Sequence, residues 1–307
     1  MGTKDYLLII VLYGSLILGV FLPEMSGQVS PFIKYLMMCM LFLSFIKISP
    51  GDVWVALRSN PISLALGTIL RLLLAPALAF YITDMIYPPL AFPILLLAGV
   101  STGVSSPFFT SLCRGNISFC LVMAVSTNLL VPFTLPFMVR VLAQSTLDYD
   151  LYSMALFLAM IILIPLAAAF ALRYLLPSIL GQVNRFSYSI SLVVIAAINF
   201  GALGRYVPYL TANPQQIIYS ALFATGLAVI MAGLGWIVLG KSGWPDKVAS
   251  SGSQVWLNNV LIIALAVHLD KPLAAALSVF YFLPLYGFVV FFSVMASRYK
   301  ITAIRRL

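Results

Sequence analysis

Charge is scarce in this chain. Seventeen Lys and Arg with eight Asp and Glu make up 8% of its 307 residues, and 63% are hydrophobic; a typical soluble domain carries about 25% charged residues. That balance excludes a soluble globular protein and leaves a chain lying mostly in a bilayer. With only eight acidic residues, a site built on clustered carboxylates has little to draw on. The single histidine, His268, has no Cys or carboxylate cluster nearby and reads as a helix-end residue at the outer interface rather than a ligand. HExxH, GxSxG, a P-loop and paired Asp-rich motifs are all missing, which argues against an enzyme. Cys39, Cys113 and Cys120 lie in apolar stretches without CxxC or other ligand spacing, so they read as small apolar side chains. No polar stretch exceeds about ten residues, so neither a soluble domain nor a linker is expected.

What is present is a series of apolar runs bounded by Pro, Gly, Asn or charge. They fall at about 6–22, 31–48, 61–83, 89–112, 117–142, 151–175, 186–204, 215–240, 248–268 and 272–297. Most are near the roughly 20 residues that a bilayer core demands of a helix, so ten spans are expected. The first run ends at Pro23-Glu24-Met25 without a small-x-small cleavage pattern and reads as a retained helix.

The net charge of +9 would suggest a nucleic-acid partner in a soluble protein. Here the basic bias of cytoplasmic loops explains it, and no nucleic-acid partner is expected. An even number of spans puts both termini on one side, and Arg298, Lys300, Arg305 and Arg306 mark that side as cytoplasmic. The same side then receives Lys4, Lys47, Arg58, Arg114, Arg173, Arg185, Lys241 and Lys247, and the other only Arg140, Arg205 and Lys271. Glu24, Asp84, Asp148, Asp150 and Asp270 fall outside. The expected location is the cell (inner) membrane, with lipid as the surrounding partner.

Two spans are interrupted. The fourth reads LLLAGVSTGVSSPFFTSLCRGN from Leu95 to Asn116, with Gly99, Ser101, Thr102, Gly103, Ser105, Ser106 and Pro107 near its middle. Pro107 removes a backbone donor and disfavours helix at Ser106. Freed backbone groups at membrane depth persist only where they line a cavity or are buried in protein; an ordinary kinked helix packed through small residues is the plainer alternative. In the ninth span, KVASSGSQVWLNNVLIIALAVHL, the polar set Ser250, Ser251, Gly252, Ser253, Gln254, Asn258 and Asn259 precedes a clean apolar run. Divided five and five, the spans place both interruptions fourth in their half. Five is odd, so the halves enter the membrane from opposite sides. Paired broken helices in inverted halves mark the binding site of a secondary transporter. Residue identity between the halves is too low to display a repeat, so the pairing rests on hydropathy and position.

These residues carry a family resemblance. LAGVSTGVSSPFFTSLCRGNISFCLVMAVSTNLLVPFTLPFM, Leu97 to Met138, resembles the fourth and fifth helices of the bile acid:sodium symporter family. There a Gly/Ser/Asn-rich break leads to a basic-Gly-Asn turn, here Arg114-Gly115-Asn116, and then to a Ser/Thr-rich helix ending in prolines. QVWLNNVLIIALA, Gln254 to Ala266, is similar to the ninth-helix motif in which Glu-Val-x-x-Gln-Asn precedes small apolar residues. Ile48-Ser49-Pro50-Gly51-Asp52 with Asn60-Pro61 also fits the passage from the second helix to the third.

The resemblance implies an all-α membrane protein of ten helices in a single domain, 1–307. Its inverted repeats would run over about 1–145 and 146–307, with a panel of helices 1, 2, 6 and 7 and a core of helices 3–5 and 8–10, where helices 4 and 9 cross at their breaks. It also implies alternating access, an organic anion as substrate, and sodium bound at the crossover. This chain departs from the pattern there. The family's ninth-helix Glu corresponds to Gln254, the following Gln to Asn258, and the final Asn is kept as Asn259. The fourth-helix Ser-Asn becomes Ser106-Pro107, a third-helix Gln falls at Arg71, and the fifth-helix hydroxyls fall at Cys120 and Ala124, with Ser126, Thr127 and Asn128 close by.

Arg71, in TILRLLLAPALAF at the centre of span 3, needs a polar partner or cavity. It is either a structural group bonded to carbonyls of a broken helix, a partner for the substrate anion, or a fixed charge standing where sodium would sit. The expected function is a carrier of a small organic anion with sodium coupling weakened or lost. The alternatives are a sodium-coupled anion symporter of the same fold and a non-transporting membrane ligand sensor. Candidate substrate-binding residues are Arg71, Ser105, Ser106, Asn128, Gln254, Asn258 and Asn259. No metal-binding residues or cofactor are expected beyond the question of sodium, and substrate identity and oligomeric state are not legible. Trp256 could wall the cavity or pack, and Asn199 and Asn128 could bind ligand or neighbouring helices.

Overall fold

The computed structural model describes residues 3–59, 61–143, 150–204, 206–238 and 242–304; Asn60, Asp148, Arg205, Lys241, Arg305 and Arg306 lie outside the described residues. Those described form an all-helical protein with no β-strand. The helices are α1 (Thr3–Phe21), α2 (Pro23–Val29), α3 (Ile33–Phe45), α4 (Pro50–Ser59), α5 (Pro61–Ile69) and α6 (Ala75–Ile86). There follow α7 (Ala91–Gly99), α8 (Ser106–Leu112), α9 (Ile117–Leu142), α10 (Leu151–Leu175) and α11 (Pro177–Gly204). The chain ends with α12 (Val207–Ala212), α13 (Pro214–Val238), α14 (Trp244–Val255), α15 (Asn259–His268) and α16 (Pro272–Ile304). Prolines open many of them: Pro23, Pro50, Pro61, Pro177, Pro214 and Pro272 each stand at the first position, where the missing N–H would have no helical partner anyway. Asn116 and Asp150 cap α9 and α10, their side chains accepting from the N–H groups of Phe119 (3.1 Å) and Ser153 (3.0 Å).

Among the described residues the expected apolar runs are helical but for their ends and the breaks at 100–105 and 256–258, and six stretches are long and apolar enough to cross a membrane: Pro23–Phe45, Pro61–Ile86, Ile117–Leu142, Leu151–Leu175, Pro214–Val238 and Pro272–Ser297. Helix also covers more of the chain than the runs suggested. The second stretch begins at Pro23 rather than near 31, α4 fills the connection before Pro61, and α11 starts at Pro177 rather than near 186. In each case a proline at the first turn starts a helix in polar sequence that hydropathy leaves out.

α7 and α15 are apolar on every face and buried throughout, from Ala91 to Gly99 and from Asn259 to Ala266, as befits helices enclosed by others. Around them α6 packs on α7, α13 on α14 and α16, and α8 and α14 on α9. A second group forms where α1 lies along α11, and α3 along α10 and α11. Small residues let these helices approach. A Cβ on Gly19 would lie 2.4 Å from the Phe200 carbonyl oxygen, and one on Gly235 would lie 2.6 Å from Ser251 Cα.

The α13–α14 contact also explains a difference from the sequence reading. The polar run Ser250–Gln254 is helical, and the backbone breaks only at Trp256, Leu257 and Asn258. Ser250 and Ser251 donate to the carbonyls of Gly235 (2.7 Å) and Ala232 (2.8 Å) on α13. Their hydroxyls thus bind helices together instead of interrupting one. Replacing Gly by Ala in a helix ordinarily stabilises by up to about 1 kcal/mol. Gly233 has open space around it, so Gly233→Ala should leave the melting temperature of the purified protein unchanged or raise it. Gly235→Ala forces α13 off α14 and should cost about 1–3 kcal/mol, seen as a lower melting temperature in the same assay.

Candidate functional site

The two breaks meet. After α7, Val100 turns extended with φ −71° and ψ 162°, and the segment to Ser105 runs antiparallel to the α14–α15 break, with Thr102 bridging Leu257. Gly103 N–H donates to the Trp256 carbonyl (2.7 Å) and Asn258 N–H to the Ser101 carbonyl (2.9 Å). A Cβ on Gly103 would fall 2.7 Å from the Leu257 carbonyl oxygen, so only glycine permits this approach. Freed backbone groups are satisfied by one another, as the interior of a membrane protein requires.

Side chains complete the crossing. Thr102 Oγ1 donates to the Ser253 carbonyl (2.7 Å) and Thr102 N–H to Thr127 Oγ1 (3.0 Å). Asn128, on α9, is the centre of the network. Its Oδ1 accepts from Ser101 Oγ (3.0 Å) and Asn258 Nδ2 (3.2 Å), and its Nδ2 donates to the carbonyls of Thr102 (3.1 Å) and Ala124 (2.7 Å). All four hydrogen-bonding positions of the amide are used, so Asn128 braces the crossing from behind. Tyr281 on α16, which sequence reasoning missed, donates to the Val255 carbonyl (2.9 Å) at the end of α14. Its one signal is a phenol in the middle of an apolar span.

A cavity of about 70 Å³ opens on the front of the crossing. Ser105, Ser106, Asn258 and Asn259 reach it, with Gly103, Phe109 and Trp256 from the same broken helices, Phe282 and Tyr286 from α16, and Met37, Met40, Leu41, Ser44 and Ile195 from α3 and α11 opposite. Four of the seven candidate residues therefore share one wall. Trp256 both lines the cavity and packs, its ring edge-on to Phe109 at 5.7 Å and folded over Gly252, where a Cβ would lie 2.1 Å from the indole. His268 is the last residue of α15 and stacks on Phe157 at 4.0 Å. The uncapped N-terminus of α15 opens at Asn258–Asn259 and supplies partial positive charge. Among the described residues no charged side chain lines this cavity.

Arg71, Gln254 and Asn128 do not line it. Gln254 Nε2 donates to the Gly67 carbonyl (3.1 Å) on α5. Arg71, one turn further on, sits in a π-helical turn, Leu70–Leu74, between α5 and α6. It is fully buried, and its Nη1 donates to the Ala98 carbonyl (2.6 Å) in the last turn of α7. A cation at the carbonyl end of a helix is favourably placed against the helix dipole. Of the readings the sequence left open, this contact is the bond to a carbonyl of a broken helix. Among the described residues no group of three or more His, Cys, Asp or Glu side chains is close enough to hold a metal ion.

The family model described as the sodium bile acid symporter family matches residues 34–213, more than half of the chain, and the protein belongs to that family. It is thus an integral, multi-pass membrane protein of a transporter family, of the bile acid and organic anion kind. No curated protein sequence matches the chain. The match includes Arg71 and the first break but stops before the second, so the substitutions at Gln254 and Asn258 lie beyond it.

Removing the Asn128 amide leaves the Ser101 hydroxyl, the Thr102 carbonyl and the Asn258 amide without their bonds at once. Asn128→Ala should destabilise the protein by about 1–3 kcal/mol or more, measured by denaturant or thermal unfolding in detergent. Thr134→Ala, whose hydroxyl bonds only the Leu130 carbonyl one turn back on an exposed face, is the matched control and should change little.

Proposed function

We propose that this protein is a secondary carrier that moves a small organic anion by alternating access, with the family's sodium coupling weakened or lost. The observation that carries the reading is Arg71: a guanidinium buried completely and tied to the end of α7 beside the crossing. A guanidinium does not lose its charge. Unit charges about 4–8 Å apart repel by about 2–4 kcal/mol at an effective dielectric near 20, enough to weaken sodium binding tens to hundreds of fold. The neutral Gln254 stands where the family pattern has a carboxylate, and it donates to the Gly67 carbonyl rather than offering charge to an ion. Carbonyls of both breaks, at Ala98, Ser101, Thr102, Ser253, Val255 and Trp256, already accept protein donors.

The frame for this reading is ten spans in two inverted halves with both termini cytoplasmic. Several contacts support it. Loops that should share the inner face touch: Arg173 donates to the carbonyls of Ile46 and Ile48, and Asn116 to Asp246. Those that should share the outer face also touch, Tyr87 with Tyr219 and Ser153 with His268. Each half runs long helix, proline-led helix, short helix, proline-led helix, broken helix and long helix in that order. Pro61 and Pro214, each preceded by Asn in the sequence, open corresponding helices. The second segment of each broken helix ends alike. Arg114 (φ 55°) and Asp270 (φ 50°) turn left-handed, and the next N–H groups, of Gly115 and Lys271, reach back to Thr110 and Ala266 (both 2.9 Å). The packing of α1 on α11 mirrors that of α10 on α3. In this frame α1, α2–α3, α10 and α11 are the panel, the remaining long helices the core, and the cavity lies between them. Ser105, Ser106, Asn258 and Asn259 would contact the substrate, and Asn128, Gln254 and Arg71 would set the shape and charge behind them.

The cavity is well below the roughly 300 Å³ at which drug-sized ligand pockets begin, which favours a small anion or a partly closed state. A sodium-coupled symporter is the second reading, favoured by two buried amide oxygens, Gln254 Oε1 and Asn259 Oδ1, that have no protein donor. Uptake of labelled small carboxylates into proteoliposomes decides between them. In sodium, potassium or choline at equal ionic strength, uptake should be equal within about two-fold, less than the 0.5 kcal/mol that would signify coupling. A strong, saturable sodium requirement establishes the second reading instead, and no uptake of any carboxylate removes the first.

A further inference from the structure

Arg71 presents a charge that nothing in its surroundings balances. Its Nη1 is satisfied by the Ala98 carbonyl, but Nε and Nη2 are buried without any acceptor in the protein. Among the described residues no carboxylate comes within ion-pair distance. Tyr281 brings no compensating charge, its hydroxyl proton being engaged by the Val255 carbonyl. The carbonyl end of α7 carries only a fraction of an elementary charge. Buried charges in proteins are paired, and a neutral water at Nε and Nη2 would satisfy their geometry while leaving the charge.

The π-helical turn sharpens the point. Single π turns inside α-helices are uncommon and recur at functional sites. This one, closed by the bond from Ala75 N–H to the Leu70 carbonyl, carries Arg71. Since Arg71 is not among the residues lining the cavity, a substrate held there does not reach Nε and Nη2. An ion at those donors would therefore occupy a site separate from this cavity.

We propose that Nε and Nη2 of Arg71 hold a resident monovalent inorganic anion, chloride under cellular conditions. The two donors belong to one planar fork and converge on a single acceptor, and the ion supplies the negative charge that no carboxylate among the described residues brings here. The core would then contain a fixed cation and an exchangeable anion, the reverse of a fixed carboxylate and an exchangeable sodium ion. The site follows from the surroundings of Arg71 rather than from the coupling reading above; with the anion bound, the repulsion of sodium by Arg71 is largely offset, and weakened coupling then rests on the neutral Gln254 in place of a carboxylate.

The test is a halide titration of the purified full-length protein in detergent, in sodium-free choline gluconate exchanged for choline chloride at constant ionic strength. Chloride should raise the melting temperature saturably, and bromide likewise. Arg71→Gln should abolish the rise. Arg71→Lys, which keeps the charge but not the fork, should shift the midpoint at least about ten-fold to higher chloride. Should Arg71→Gln fail to fold, wild-type crystals grown in bromide decide the matter, with an anomalous peak within hydrogen-bond distance of Nε and Nη2. A melting temperature indifferent to halide, or bromide crystals with no peak at Arg71, overturns the proposal. Repeating the titration in sodium keeps the two claims apart. A chloride midpoint unchanged by sodium supports this site whatever uptake shows about coupling, and sodium-independent uptake without a halide effect overturns this site alone.

Discussion

The site depends on one constraint: two broken helices cross inside apolar surroundings and must satisfy their freed backbone groups on each other. The pairing of Gly103 with Trp256 and of Ser101 with Asn258 discharges most of that obligation, and it is possible only because Gly103 has no side chain. From it follow the position of the α15 N-terminus, the gathering of Ser105, Ser106, Asn258 and Asn259 on one wall, and the need for a brace such as Asn128 behind. An unpaired backbone group at that depth costs several kcal/mol, so the crossing forms with its full set of bonds or yields a different structure.

Electrostatics acts on the same frame. The front of the crossing has a cavity with neutral polar groups and, among the described residues, no charged one, while the rear holds Arg71 against the carbonyl end of α7. Nearby, Gln254 joins α14 to α5 through Gly67. Charge and recognition are thus divided between two layers. In the proposed function the guanidinium acts on the occupant of the crossing through its field and through α7, while amides and hydroxyls make the contacts. In a low-dielectric interior such a field reaches further than in water, and a side chain away from the cavity can still govern which ions bind.

Much of this was legible in the residues. The apolar runs located most of the helices, the clusters Gly99–Pro107 and Ser250–Asn259 located the breaks to within a turn or two, and a lone Arg71 at mid-span marked a buried polar site. The missing parts were those that composition cannot distinguish. Ser250–Gln254 looks like an interruption, yet its hydroxyls bond α13 and the helix continues. Asn128 looks as fit for a ligand as for a brace, and only the four bonds it makes settle that. What supports the proposed repeat between the halves lies in backbone features, the proline-led helices and the two left-handed turns at Arg114 and Asp270, rather than in side-chain identity. Tyr281 gave only a weak signal, because a phenol in an apolar span is unremarkable until its hydroxyl is seen to end α14.

The central claim is that a fixed cation at the crossing stands in for a mobile one. It is tested most directly by exchanging the two charges and measuring thermal unfolding of the purified proteins across a sodium titration at constant ionic strength. The wild-type melting temperature should be the same in sodium and in choline. The double variant Arg71→Gln with Gln254→Glu, which removes the guanidinium and restores a carboxylate, should gain a saturable, sodium-specific rise. A saturable rise in the wild-type protein, or a double variant that folds yet stays indifferent to sodium, would contradict the account.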